Sequence, residues 1–325
     1  MTTRQDEVWM RRALDLARKG RTSPNPKVGC VIVSASGTFL GEGFHKAAGM
    51  PHAEIEALAS VPAERRTELP GATYFVTLEP CSHFGRTPPC ADRLVAEKAG
   101  RVVVAAEDPN PLVAGQGLQR LRAAGIETES GLCAEEAAAL NAPFFVNMRE
   151  QRPYVILKWA QSADGFIDSR VQAAPGAGGI ALTGKLAGVI NHAWRAEVDG
   201  ILVGRRTVEI DLPRLTNRRA PGPSPQAFVL DPSGKLPEGH PFFTQGGKRW
   251  TGSLEASGLH SLIVEGGRVT LERWMAEQPF DEIRRFTALD CQLQKGLEAP
   301  HIPGGFQAIH SAMLGRDLLE VFRPC

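Results

Sequence analysis

The chain has 325 residues, 42% hydrophobic and 22% charged, more than one hydrophobic core usually serves, and this predicts two globular domains. A formal net charge of +1 with no basic run argues against a nucleic-acid partner or a charge-bound membrane surface, since neutralising phosphates needs a basic excess. Six scattered cysteines do not read as a disulfide framework, Met1–Arg12 carries Arg4, Asp6 and Glu7 in place of an apolar leader, and no run approaches the roughly 18 apolar residues of a membrane span, so a cytoplasmic protein acting on a small, compact molecule is expected.

Asp6–Lys19 reads as an amphipathic helix through Val8, Leu14, Leu16 and Ala17, ended by Gly20. After the turn cluster Thr22–Pro26, Val28–Val33 is a nearly continuous apolar strand, and Thr38–Phe44 is its hairpin partner across Ser36-Gly37. Ala53–Ala59 reads as a helix with His52 and Glu54 at its N-terminal end. Tyr74–Leu78 is a strand that runs into Glu79-Pro80-Cys81. Ala91–Lys98 (helix), Val102–Ala105 (strand), Leu118–Ala124 (helix), Ile126–Thr128 (strand) and Ala134–Leu140 (helix) follow, and this alternation argues a layered α/β domain. Asn141-Ala142-Pro143 breaks the pattern, and a boundary near Arg149–Pro153 separates residues 1–149 from residues 150–325. The second half restarts with the strand Tyr154–Trp159, the Gly/Ala/Pro loop Ala173–Gly179 and the helix Lys185–Ala196. Strands at Gly200–Val203 and Ala227–Leu230 flank a surface loop, Pro221–Pro225. The apolar strand Ser261–Val264 ends in Glu265-Gly266-Gly267 and opens a helix to Met275, while Asp281–Ala288 and Gln307–Phe322 complete the sheet.

The strongest chemical signal is His52-Ala53-Glu54 followed by Pro80-Cys81 and Cys90. Catalytic zinc takes three protein ligands of imidazole, thiolate or carboxylate type and keeps one position for water. His52, Cys81 and Cys90 supply such a set, and Glu54 sits where it reaches the open face without ligating. Zinc nucleobase deaminases show this H-x-E…P-C-x-x-C pattern, in which the metal activates water and the glutamate shuttles protons. Here the two cysteines are further apart than in that pattern. A structural zinc would need a fourth protein ligand, for which His83 or His45 could serve. Cys30, in an apolar strand, reads as packing.

The whole segment from Pro80 to Cys90, PCSHFGRTPPC, resembles the deaminases of riboflavin biosynthesis almost letter for letter. Pro24-Asn25-Pro26-Lys27-Val28-Gly29-Cys30, Gly41-Glu42-Gly43-Phe44-His45 and Asp108-Pro109-Asn110-Pro111 match the same family. The resemblance implies a cytidine-deaminase-like three-layer fold for residues 1–149, with Zn2+ on His52, Cys81 and Cys90. It implies Glu54 as the proton-shuttling catalytic residue, Asn25 as a substrate contact, and His45, His83 and Arg86 as contacts to a ribose phosphate.

The family's usual second domain is an NADPH-dependent reductase of dihydrofolate-reductase-like fold, and residues 150–325 match its segments in order. These are KWAQSADG from Lys158, Leu182-Thr183-Gly184, Val203-Gly204-Arg205-Arg206-Thr207, Asp211-Leu212-Pro213-Arg214-Leu215-Thr216 and Val264-Glu265-Gly266-Gly267. Gly266 and Gly267, between a strand and a helix, let backbone amides approach a pyrophosphate at a helix N-terminus, though a Gly-Gly pair alone could be only a tight turn. Arg205 and Arg206 resemble the segment that meets the cofactor's adenosine phosphate, where an arginine would select NADPH over NADH. The resemblance adds Ala160, Thr207 and Arg268 as cofactor contacts and Asp211 beside the nicotinamide in a catalytic role. It gives Thr183, Arg195, Leu215, Arg218 and Glu265 as substrate contacts, and a homo-oligomer that assembles through the second domain.

Two departures stand out. The stretch between Thr216 and Ala256 is short for the family, and Gly179-Ile180-Ala181 stands where relatives often carry a serine and an aromatic. The expected activity is therefore zinc-dependent deamination of a diaminohydroxyphosphoribosylaminopyrimidine and NADPH-dependent reduction of its ribosyl chain to ribityl. The alternatives are an active deaminase fused to an impaired reductase and, further off, a nucleoside or tRNA deaminase. A zinc-stabilised binding protein is argued against by the open position beside Glu54.

Overall fold

A computed structural model describes residues 3–84, 88–110, 113–170 and 174–325. The chain divides into two compact units, Met1–Gln151 and Arg152–Cys325. No helix among the described residues is long and apolar enough to cross a membrane.

The first unit opens with α1, Arg4–Ala17. It starts earlier than the hydrophobic pattern suggests because Thr3 closes a capping box: its hydroxyl accepts from the Asp6 amide, and the Asp6 carboxylate accepts from the Thr3 amide. The strands β1 (Gly29–Val33) and β2 (Phe39–Phe44) form the expected hairpin, followed by α2 (Ala53–Ser60) and β3 (Thr73–Val76). Then come α3 (Cys90–Ala96), β4 (Arg101–Val104), α4 (Gln116–Ala123), β5 (Glu127–Ser130) and α5 (Ala134–Leu140). The sheet order is β2-β1-β3-β4-β5, with β1 antiparallel to both neighbours and β3, β4 and β5 parallel.

Alternation along the strands builds two cores on the two faces of this sheet. Cys30, Ile32, Tyr74, Val76, Val102 and Val104 pack with residues of α2, α3 and α4. Val31, Val33, Phe75 and Val103 pack instead with Met10, Leu14 and Ala137 of α1 and α5. The strands read as continuous apolar runs because both faces are covered, and Cys30 is fully buried among them. The break expected at Asn141-Ala142-Pro143 instead starts another helix, α6 (Ala142–Glu150). Proline is tolerated in a first helical turn because its missing N–H had no intrahelical partner. Asn141 fixes the corner, its side chain accepting from Lys27 N at 2.8 Å and donating to Lys27 O at 2.9 Å.

The second unit carries β6 (Tyr154–Ser162), β7 (Phe166–Asp168), α7 (Lys185–Glu197), β8 (Gly200–Gly204), α8 (Arg205–Asp211) and β9 (Gln226–Leu230). It continues with α9 (Pro241–Thr244), β10 (Lys248–Arg249), β11 (Ser261–Glu265), α10 (Arg268–Glu277), β12 (Glu282–Ala288), β13 (Leu297–Glu298), β14 (Phe306–Leu314) and β15 (Asp317–Pro324). The sheet order is β10-β9-β8-β11-β6-β12-β15-β14. Its first six strands are parallel, and β15 and β14 close the edge antiparallel. The expected segment Gln307–Phe322 completes the sheet as the hairpin of β14 and β15. The stretch from Thr216 to Ala256 contributes β9, α9 and β10, so the sheet runs through it without a gap. One face packs Val155, Leu157, Trp159 and Val264 against Leu271 and Trp274 of α10, and the other packs Phe286 and Leu319 against Ala187 and Trp194 of α7.

Candidate active sites

In the first unit, three short segments bring the expected zinc ligands together. His52 is the N-cap of α2, Cys81 follows the end of β3, and Cys90 opens α3. Their ligand atoms all lie within 4.8 Å of one another. His52 Nδ1 stands 3.6 Å from Cys81 Sγ and 3.3 Å from Cys90 Sγ. Bonds of about 2.0 Å to nitrogen and about 2.3 Å to sulfur at a tetrahedral angle separate the two atoms by about 3.5 Å, so the donor set fits zinc. Among the described residues this trio includes neither His45 nor His83, so the fourth ligand of a structural site is missing.

Glu54, two residues into α2, is 3% exposed. Burial raises its carboxyl to about 7, a range in which a group both takes and gives protons near neutrality. Cys81 is the more acidic thiol, held low by Cys90 and the His52 imidazole against its burial, while Cys81 and burial push the Cys90 thiol up. The Cys90 amide also donates to Cys81 Sγ at 3.3 Å.

The other expected residues of this unit fall in different places. His45 is 3% exposed, which sets it apart from a solvated loop. Its Nδ1 donates to Pro51 O at 3.0 Å, so its Nε2 accepts from the Asn25 amide at 3.3 Å. Its ring stands edge-on to His52 with centroids 5.5 Å apart. Asn25 is exposed while bonded to His45, and can offer its remaining polar atoms to a ligand. His83 is exposed. Arg86 lies outside the described residues.

In the second unit a cavity of about 740 Å3 opens at the C-terminal ends of the parallel strands, where ligands bind in open α/β sheets. Its wall brings together Ala160, Arg195, Arg205, Arg206, Thr207, Asp211, Leu215, Glu265, Gly266, Gly267 and Arg268 of the expected residues. Thr183 and Arg218 stand outside that wall. Arg218 donates instead to Thr216, and its amide to His192 Nδ1 at 3.0 Å.

Gly267 is the N-cap of α10, and a Cβ added there would meet nothing within 4 Å, so the helix N-terminus faces open space. Gly204 is needed for a different reason: a Cβ would lie 2.2 Å from Thr270 Oγ1, because the end of β8 is pressed against α10. The two adjacent arginines differ. Arg205 holds Glu209 at 2.5 and 2.7 Å and lies 3.8 Å from Asp231, whereas Arg206 is exposed and forms no ion pair among the described residues. Gly179 lies against Asp211, whose Cγ would stand 3.3 Å from an added Cβ, so the departure from the family sits directly on the expected catalytic aspartate. Burial and the neighbouring Asp168 raise the Asp211 carboxyl. The first residue of the loop expected at Ala173–Gly179 is outside the described set.

Lys158 is a wall residue that motif reading quoted without assigning. Its ammonium lies 4.0 Å from Glu265 Oε2, which also accepts from Arg195 at 2.9 Å. Burial, and secondarily Arg195, lower the Lys158 ammonium despite Glu265. Three further wall atoms, Arg195 Nε, Glu265 Oε1 and Asn191 Oδ1, are buried without a hydrogen-bond partner among the described residues, a cost that a polar ligand relieves. The one available signal was a lone lysine inside the apolar strand YVILKW.

Comparison with known proteins agrees with this geometry. Residues 3–106 match the cytidine and deoxycytidylate deaminase zinc-binding region, and residues 153–288 match the RibD C-terminal domain. The riboflavin biosynthesis protein RibD of Aquifex aeolicus is 45% identical over 235 residues, covering 71% of this chain and 63% of its own length. That of Escherichia coli is 43% identical over 261 residues, covering 76% and 68%. The chain thus spans less than two thirds of the Aquifex protein. Among solved structures, Acinetobacter baumannii RibD superimposes with a TM-score of 0.83 at 33% identity over 99% of both chains. A diaminohydroxyphosphoribosylaminopyrimidine deaminase/5-amino-6-(5-phosphoribosylamino)uracil reductase from Thermotoga maritima gives 0.84 at 32% over 99% of both. The first unit is therefore a cytidine-deaminase-like domain and the second a dihydrofolate-reductase-like RibD C-terminal domain, and the chain belongs to the RibD family of riboflavin biosynthesis proteins.

Proposed function

We propose that the chain is a bifunctional enzyme: its first unit hydrolytically deaminates a diaminohydroxyphosphoribosylaminopyrimidine, and its second reduces the ribosyl side chain of the product to ribityl with NADPH. The observation that carries the reading is Glu54, a buried carboxylate two residues from His52 that stands outside the ligand trio. Among the described residues Glu54 forms no ion pair, and burying a carboxylate without one is costly unless its chemistry needs it there.

His52 Nδ1 and the sulfurs of Cys81 and Cys90 would hold zinc, which would supply a Lewis acid that makes a water acidic near neutral pH. The Glu54 carboxylate would take a proton from the attacking water and return protons to the ring nitrogen and the leaving amine. Water and the amidine carbon become a carbonyl, and ammonia leaves. His45 holds the Asn25 amide in place, so that Asn25 orients the pyrimidine edge.

In the second unit NADPH supplies the hydride. The open N-terminus of α10 would hold its pyrophosphate, and Arg206, which forms no ion pair among the described residues, would hold the adenosine phosphate. Arg195 Nε and Glu265 Oε1 take up the polar groups of the opened sugar. Lys158, a buried ammonium of that wall, would supply the proton, and Asp211 would border the nicotinamide end.

The test uses purified zinc-loaded protein and the pyrimidine product of GTP cyclohydrolase, with and without NADPH. Product mass and NADPH absorbance are read together. Deamination followed by a gain of two hydrogens, matched by NADPH loss, is expected. Deamination without NADPH loss would leave the second unit an incompetent reductase, and an unchanged mass in both conditions would sink the substrate.

A further inference from the structure

Glu79 takes no part in the chemistry above, yet it is a carboxylate only 7% exposed. Its Oε1 accepts the amides of Gly117 at 2.8 Å and Leu118 at 3.3 Å. Its Oε2 accepts those of Gly115 at 2.9 Å and Asp108 at 3.1 Å. Gly115 is the N-cap of α4, and Gly117 and Leu118 belong to its first turn. One side chain from a distant segment therefore satisfies three amides that a helix start leaves without partners. The contact is tight: a Cβ on Gly117 would lie 2.0 Å from Pro80 O.

The same helix grips the chain on the other side of Cys81. Arg120 of α4 donates to Ser82 O at 3.1 Å, and its Nε pairs with Asp92 of α3 at 2.5 Å. The helix α3 begins at Cys90, and the next amide, Ala91 N, donates to Cys81 O at 3.2 Å. Residues 79 and 82 are thus both anchored to α4, with Cys81 between them and Cys90 tied on through Asp92.

We propose that Glu79 is a positioning residue for the metal centre, holding the Cys81 sulfur at its place opposite His52 by locking residues 79–82 onto α4. The proposal rests on the zinc reading of the first unit. Ligand-orienting residues of this kind change metal affinity about 10–100-fold when altered.

The test compares wild type, Glu79→Gln and Leu121→Ala. Leu121 is a fully buried core residue of the same helix whose apolar side chain makes none of the clamp's hydrogen bonds, and so gives a variant destabilised with those bonds kept. Release of zinc to a chelator is measured well below the Tm of each, with the thiolate absorption of the cobalt-substituted proteins and the kcat and KM of deamination. Glu79→Gln is expected to release metal about 10–100-fold more readily, with a displaced cobalt band and a fall in kcat larger than the change in KM. Leu121→Ala, at an equal or greater loss of Tm, is expected to hold metal as wild type does. Wild-type metal release and spectrum in Glu79→Gln would overturn the proposal, as would equal metal loss in Leu121→Ala. Should Glu79→Gln not fold, Arg120→Ala takes its place: several-fold faster release supports the clamp and unchanged release overturns it. A wild-type chain that binds no metal would sink the zinc reading itself, a result distinct from a wild-type centre that tolerates the loss of Glu79.

Discussion

The two sites are held by different means. In the first unit the reacting groups sit on three short segments, and three ligand atoms converge within 4.8 Å. In the second they hang from the ends of parallel strands around an open cavity, and several buried wall atoms have no partner among the described residues. A metal centre must satisfy a small, fixed set of donors, so its residues are confined by bond lengths. A site for a dinucleotide and a sugar is confined by shape and by where charges are left unpaired. Damage to the first site should therefore be sharp and local, and damage to the second graded and shared with stability.

The largest effect is expected at Glu54. Glu54→Gln keeps the size of the side chain and removes its proton traffic, so deamination should fall about 1000-fold. Bound zinc should stay at one per chain, and NADPH oxidation on supplied deaminated product should stay at the wild-type rate. A deamination rate within tenfold of wild type would remove Glu54 from the chemistry.

Arg195→Ala tests the opposite behaviour. Removing Arg195 leaves the buried Glu265 carboxylate, among the described residues, with Lys158 alone as ion-pair partner, 4.0 Å away. Breaking a buried pair from one side costs about 3 kcal/mol, so this variant should lower the unfolding free energy of the second unit by that order and slow the reduction. Urea unfolding followed by tryptophan fluorescence reads this unit, which holds Trp159, Trp194, Trp250 and Trp274, while Trp9 belongs to the first. Slowed reduction without loss of stability would make Arg195 a pure ligand contact.

The same difference governs what could be read in advance. The metal site was legible because His52, Glu54, Cys81 and Cys90 are rare letters at set positions, and α2 begins where the motif places it. Asn141-Ala142-Pro143 looked like an ending because proline stops a helix everywhere except in its first turn, and only the Asn141 side chain on Lys27 reveals a corner. The hairpin of β14 and β15 was read as one segment because β14 is exposed along most of its length, so no alternation marks its turn. The pairing of Arg205 needed α8, since Glu209 meets it only one helical turn away. Lys158 acquires meaning only beside Glu265, a residue on a neighbouring strand.

A smaller effect separates the two adjacent arginines. Arg206→Ala should raise the KM for NADPH about tenfold and leave that for NADH unchanged, since a charge-assisted bond to a phosphate contributes about 1.5 kcal/mol or more. Arg205→Ala should act first on the Tm, because it deprives Glu209 and Asp231 of a cation. Equal shifts of both cofactors in Arg206→Ala would place the adenosine phosphate elsewhere.

The smallest expected effect is acid sensitivity, and it probes the frame of the second unit rather than its site. Glu282 is 1% exposed and accepts from Tyr154 Oη at 3.1 Å, Arg284 Nε at 2.5 Å and Arg323 Nε at 2.9 Å. Burial pushes its carboxyl up, but the two guanidinium groups outweigh this and hold it below the usual range. A carboxyl lowered in the folded state stabilises fully above its unfolded value, and that contribution is lost as pH falls through the folded value. The second unit should accordingly weaken as pH drops below about 4.5, the ordinary glutamate range. Glu282→Gln keeps an acceptor for Tyr154 and removes the charge, so it should cost about 1–2 kcal/mol at pH 7, discounted because both arginines are partly solvated. Its stability should then fall less steeply in acid than that of wild type. Asp6 in the first unit is lowered against its burial by Arg101 and Thr3, so Asp6→Asn should flatten the acid response of that unit alone. An acid slope in Glu282→Gln equal to that of wild type would place the second unit's acid sensitivity in carboxylates outside this cluster.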